Sequence, residues 1–245
     1  MNSERYNKVF NVVIVSGMAA ALTLATVFKW GGDARENALL LVSVFGSLMG
    51  AMSGVMSANG KILTFFFGLL DVSIYGVMCL MNWMTGGSGL GTAILHILYF
   101  VPMQFIGFFQ WRKMGAGAVD AVRPRRLTGR RMLLLAALFL VGVAVSYLLI
   151  ANFDRSETET LIKMTVVLDV IPLMCNIIGQ LLMSTAYVEQ WIFWIGVNVF
   201  SILMWTKALV DGQSSFAGVY IVKYCFYLTN CIHGLRLWMR MSKKN

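Results

Sequence analysis

The chain has 245 residues, 58% hydrophobic and only 13% charged, with a mean hydropathy of +0.73, against about 25% charged in an ordinary soluble domain. Its 20 Lys and Arg with 11 Asp and Glu cannot coat a soluble 27.3 kDa globule, and so apolar a composition also excludes disorder. The net charge of +9 has to be read by position along the chain before it says anything about partners.

Apolar stretches of about 20 residues, the length that crosses ~30 Å of hydrocarbon as a helix, run approximately over 9–28, 38–58, 62–82, 90–111, 131–151, 161–183, 190–209 and 216–238. Eight such spans predict an all-α polytopic membrane protein, one transmembrane domain over residues 1–245 with short loops. The first span follows Arg5 and Lys8 and contains Ala19, Ala20 and Ala21, as a signal peptide would. It continues to Phe28, and so reads as a retained helix.

With eight spans, both termini share a side with the second–third, fourth–fifth and sixth–seventh loops. That side carries fourteen of the Lys and Arg; the other side carries five, with Lys223 inside the eighth span. The positive-inside rule then puts both termini in the cytoplasm. The basic loop at 112–131, centred on Arg123, Arg125 and Arg126, reads as a topology determinant rather than a nucleic-acid site. Cys79, Cys175, Cys225 and Cys231 lie inside apolar runs, and neither His96 nor His233 has a ligand partner at helical spacing. No metal site or cofactor is expected.

A gap-free shift of 127 residues lays Asp71 on Asn198, Phe67 on Trp194, Gly107 on Gly234, Trp111 on Trp238, Lys113 on Arg240 and Met114 on Met241. One shift shared by two helices and a loop predicts two three-helix bundles, 38–111 and 161–239, joined by the single helix 131–151. Residues 9–28 form an extra N-terminal helix. A single joining helix makes the bundles parallel, a 3+1+3 arrangement that resembles the SWEET sugar transporters.

Ionisable side chains within a bilayer face the protein interior or a wet cavity. Asp71 shares a helical face with Thr64, Phe67, Tyr75, Met78 and Asn82, and Asp169 shares one with Pro172, Asn176 and Gln180. The fourth span offers Gln104, Gly107 and Trp111, the seventh Trp191, Trp194 and Asn198, and the eighth Lys223, Tyr227, Asn230, Gly234 and Trp238. Plainer roles exist for some of them. Amides often only tie helix to helix, at ~0.6 kcal/mol each; Trp111 and Trp238, near span ends, fit an interfacial belt; Lys223 fits a side chain that reaches the outer face. Yet four helices devote one face to aromatic and hydrogen-bonding groups. That convergence suits a flat polar solute, uncharged or cationic, with rings to stack on a heterocycle and amides to read hydroxyls or a carboxamide.

The segment from Glu189 to Asn198, with Trp191, Trp194 and Asn198 in the order WxxWxxxN, resembles the signature of PnuC, the bacterial nicotinamide riboside transporter family. Gln104, Gly107 and Trp111 resemble that family's QxxGxxxW helix. With the eight spans and the repeat, the resemblance covers essentially the whole chain. It implies a SWEET-like fold and a ligand held between the bundles near mid-membrane. It further implies facilitated diffusion of nicotinamide riboside by alternating access in the bacterial inner membrane, with trapping by a cytoplasmic kinase. Trp191 and Trp194 would be aromatic partners of the ring, Asn198 a hydrogen-bonding partner, and Gln104 a polar partner from the first bundle. Asp71, Asp169, Asn176, Tyr227 and Asn230 join this set from their helical faces alone. A homo-oligomer such as a trimer fits the superfamily.

Other readings stay open at this point. Thiamine or riboflavin would suit the same lining, and Asp71 or Asp169 would serve an ion-coupled transporter. An enzyme would need a constellation around Asp71 and Asp169 that the sequence lacks. A binding subunit dependent on an ATP-driven partner would not need two complete bundles.

Overall fold

A computed structural model of the chain describes residues 3–31, 33–84, 90–117, 120–151, 164–210 and 217–243. The helices are α1 (Ser3–Lys29), α2 (Ala34–Ala58), α3 (Thr64–Met84), α4 (Leu90–Leu95), α5 (Val101–Lys113), α6 (Gly129–Ala151), α7 (Met164–Ser184), α8 (Gln190–Val210) and α9 (Ala217–Met241). A π-helical turn, His96–Phe100, joins α4 to α5, so the described residues form eight helical rods. Pro102 follows that turn; it has no N–H to donate and would crowd the preceding carbonyls, and the wider turn accommodates it. The starts expected at 161 and 216, and the loop charges Arg155, Lys163 and Lys244, lie outside the described residues.

Among the described residues, five helices are long and apolar enough to cross a membrane: Glu4–Phe28, Ala34–Ala58, Thr64–Met81, Ala93–Lys113 and Gly129–Leu149. A shorter apolar stretch, Asp169–Ser184, lies in α7. Helices α8 and α9 run over 21 and 25 residues. On α6, Leu133, Leu140 and Leu148 are exposed, as expected where hydrocarbon rather than water is the solvent.

The internal repeat is visible in the helix ends, with a correction to its register. Ala58 and Ser184, and Thr64 and Gln190, are each 126 residues apart, whereas the buried pair Trp111 and Trp238 is 127 apart. A gap-free shift of 127 is therefore one residue out along α3 and α8. In the structural register Phe65 matches Trp191 and Gly68 matches Trp194. Helices α1 and α6 occupy comparable places in the chain but pack differently: α1 lies against α2 and α9, whereas α6 lies against α7 and sets Phe139 on Phe193 of α8.

The tightest core joins the two halves at one end. Trp111 and Trp238 are fully buried, with rings 5.5 Å apart. The indole of Trp111 on α5 donates to the Met183 carbonyl near the end of α7 at 2.8 Å, and that of Trp238 on α9 donates to the Ser57 carbonyl near the end of α2 at 2.9 Å. Each half thus caps a helix of the other. The matching glycines admit the rings: a Cβ on Gly107 would lie 2.2 Å from Phe65, and one on Gly234 would lie 2.6 Å from Trp191. This buried pair is a correction to the interfacial-belt reading of Trp111 and Trp238. They satisfy helix-end carbonyls inside the protein.

Two matching turns complete that end. Gly60 (φ 66°) and Ala186 (φ 57°) both occupy the left-handed region. The loop between α5 and α6 threads between them: Val122 N–H donates to the Gly60 carbonyl at 2.9 Å, and Arg125 N–H to the Ala186 carbonyl at 2.8 Å. The Arg125 guanidinium also donates to the Thr185 carbonyl at 2.6 Å and covers the Tyr187 ring. Within the basic loop, this cation closes the end of α7.

Left-handed backbone costs a non-glycine residue about 1–2 kcal/mol. Ala186→Gly is expected to raise stability by about 1 kcal/mol, and Gly60→Ala to lower it by at least that much, read by thermal unfolding in detergent. Gly60→Ala also places a Cβ 3.2 Å from that of Ala121. Equal melting temperatures for the two variants would contradict this account. Trp111→Phe and Trp238→Phe each remove one of two donors from a carbonyl that keeps the Ala186 or Gly60 N–H and are expected to lose about 1 kcal/mol.

Candidate functional site

One to two turns inward from the tryptophan pair, roughly 5–12 Å along the helices, polar side chains from six helices form a ring. On α5, Gln104 is buried (3% exposed), and its Oε1 has no protein partner. It lies over Gly68 of α3, where a Cβ would be 2.6 Å from Gln104 Oε1 and 3.1 Å from Ser53 Oγ of α2. Ser53 and Thr64 bond each other across α2 and α3. The next residue on α2, Gly54, makes room for Asn230 of α9 at 3.2 Å. Asn230 is buried and its Oδ1 lacks a protein partner. Beside it, Cys231 accepts from Asn198 Nδ2 of α8 at 3.4 Å. Asn198 also donates to the Trp194 carbonyl at 2.7 Å, and the Trp194 ring lies 3.3 Å from a Cβ built on Gly179 of α7. From Gln180 of α7, Nε2 bonds Ser184 Oγ, and Ser184 donates to the Met103 carbonyl next to Gln104. The ring is then closed.

Glycines on α2 make this approach feasible. Gly46 meets Ile74 of α3, Gly50 meets the Asp71 carboxylate, and Gly54 meets Asn230. A helical face of three glycines brings both neighbouring helices, and their polar groups, within reach of its backbone.

The sequence-predicted residues divide into three groups. Gln104, Trp194, Asn198 and Asn230 meet in the ring. Asp71, Tyr227 and Lys223 form a neighbouring cluster: the Lys223 ammonium lies 5.6 Å from the Tyr227 ring centre and interacts electrostatically with Asp71, and Tyr227 donates to the Ser47 carbonyl at 3.5 Å. The expectation that Lys223 reaches the outer face is corrected. Its charge is drawn inward by a carboxylate and an aromatic face. The third group stands apart. Trp191 is buried at the clasp (2% exposed), its ring against Gly234 and 6.0 Å from Trp238. Asn176 turns back onto the Pro172 carbonyl of its own helix at 2.9 Å. Asp169 is exposed, whereas Gln180 farther along α7 is buried.

Sequence reasoning missed Gln190. It is fully buried at the start of α8, and neither Oε1 nor Nε2 has a protein partner. It matches the buried Thr64 in the structural register. A polar side chain in the first turn of an otherwise apolar helix, next to Trp191, is the signal that marks it. Ser53 and Ser184 were not singled out because each is ordinary within its own helix. Only the partner helix gives it a role.

Comparisons with known proteins agree with this architecture. The family model described as nicotinamide mononucleotide transporter matches residues 40–240. The nicotinamide riboside transporter PnuC of Neisseria mucosa is 32% identical over 226 residues, covering 90% of this chain and 78% of that protein. The protein of the same name from Haemophilus influenzae is 26% identical, covering 83% and 81%. A crystal structure of the vitamin B3 transporter PnuC superposes with a TM-score of 0.70 at 28% identity, covering 96% of this chain and 92% of that one. Eight apolar helical rods, a matched pair of tryptophan-bearing helices and these likenesses lead to one conclusion: the chain is a multi-pass membrane protein that belongs to the PnuC family of transporters, and it is not an enzyme.

Proposed function

We propose that this chain carries nicotinamide riboside across the bacterial inner membrane by facilitated diffusion. The substrate lies in the polar ring, between a unit of α2, α3 and α5 and a parallel unit of α7, α8 and α9. Helix α6 is the connector and α1 stands outside the repeat. The observation that carries this reading is the chemistry of the ring. Gln104 Oε1 and Asn230 Oδ1 are buried without protein partners, beside a partly buried Trp194. A carboxamide and ribose hydroxyls supply the donors those oxygens lack, and a pyridinium stacks on the indole.

The same chemistry separates the riboside from its phosphorylated form. A phosphate calls for arginine or clustered cations, and among the described residues of the ring none is an arginine. The nearby cation, Lys223, already faces Asp71. The two units exchange access to the ring from either side of the membrane, with both termini cytoplasmic, and a cytoplasmic kinase traps the product as phosphate.

Purified protein in liposomes tests this directly. Labelled nicotinamide riboside is expected to exchange without any ion gradient, with thiamine and riboflavin competing poorly. Trp194→Ala is expected to weaken apparent affinity by about 1–3 kcal/mol, the value of one aromatic stack. Gln104→Leu removes a polar atom without a partner; it is expected to weaken transport while leaving the melting temperature of the ligand-free protein unchanged or higher. Strict dependence on a proton or sodium gradient would overturn the uniport mechanism.

A further inference from the structure

The outer face of α9 carries a feature that transport through the ring does not use. Ile232, Leu235, Arg236, Met239, Arg240 and Lys243 line a groove of about 380 Å³. Spacings of three and four place Ile232, Leu235, Arg236, Met239 and Arg240 on one face of α9, and Lys243 follows in the turn beyond its end. Along that face the cations gather toward the end. Ile232 is 55% exposed and lies deeper along the helix, while Arg236, Arg240 and Lys243 are exposed toward its end at Met241. A further cation reaches the same corner from the α5–α6 loop, where Arg126 Nε donates to Ser242 Oγ at 3.1 Å. None of the six lining residues is acidic. A second copy seated symmetrically on this face would set three cations against three cations, which disfavours that occupant. An apolar channel that ends in clustered cations at the membrane surface has the chemistry of an acyl chain below a phosphate.

We propose that this groove holds one anionic phospholipid of the bilayer, its acyl chain along Ile232, Leu235 and Met239 and its headgroup phosphate held by Arg236, Arg240 and Lys243, with Arg126 beside them. The site is independent of the transported solute. Native mass spectrometry of the full-length protein in mild detergent, with phosphatidylglycerol or phosphatidylcholine added, tests it. The expected result is retention of one phosphatidylglycerol per chain, about tenfold over phosphatidylcholine, and a loss of about tenfold in the triple variant Arg236→Gln, Arg240→Gln, Lys243→Gln. Neutralising Arg112 and Lys113, exposed cations at the end of α5, is expected to leave retention unchanged.

Equal retention of the two lipids by the unmodified protein would overturn the proposal without recourse to any variant. So would an equal loss on neutralising Arg112 and Lys113, which would mean diffuse attraction rather than a site. Displacement of the lipid by millimolar inorganic phosphate would point to a free anion as the ligand. Cross-linking between chains through Met239→Cys would make the face an interface between copies.

Discussion

The structure depends on the exchange of two indole hydrogen bonds between its halves. Trp111 of one half donates to the Met183 carbonyl of α7 and Trp238 of the other to the Ser57 carbonyl of α2, each a second donor beside the local N–H of Ala186 or Gly60. In a bilayer the helices gain little from hydrophobic association, because lipid tails are as apolar as leucine. Close packing and satisfied backbone polar groups must supply the specificity instead. The exchange does both. Gly107 and Gly234 let Phe65 and Trp191 lie against the opposing helix backbone, and the buried indoles add a hydrogen bond between the halves worth about 1 kcal/mol each. The loop bearing Val122 and Arg125 ties both turns at the same end.

With one end joined in this way, the polar ring has a different energetic character. Asn198 and Asn176 spend their amides on carbonyls of their own helices, and Gln180 bonds Ser184. Gln104 and Asn230 are as deeply buried but keep acceptor oxygens without protein partners. Buried polar groups are usually satisfied, and these two acceptors beside a tryptophan are what the proposed solute would meet. Asp71 and Lys223 lie next to it and interact electrostatically. This near-neutral lining favours a solute without a phosphate.

Much of the fold was legible because hydropathy over about 20 residues is a strong signal in a membrane protein. Gly107, Gly234, Trp111 and Trp238 also revealed the repeat, since small and large residues alternate where helices meet closely. The register along α3 and α8 was not legible. A difference of one residue shifts every pairing while leaving each helical face intact. The roles of Trp111 and Trp238 were misread for a related reason: position near a span end is shared by belt residues and by residues capping a neighbouring helix, and only the partner distinguishes them. Gln190 carried one sign, a polar side chain in the first turn of an apolar helix, but that it lacks a partner shows only in the folded chain.

The central claim is that one solute is held by both halves together. Calorimetric titration of nicotinamide riboside into the purified protein tests it most directly, with Gln104→Leu from the first half and Trp194→Ala from the second. The account predicts a single site per chain, weakened by either substitution. Binding to Gln104→Leu as tight as to the unmodified protein would confine the site to the second half and contradict it.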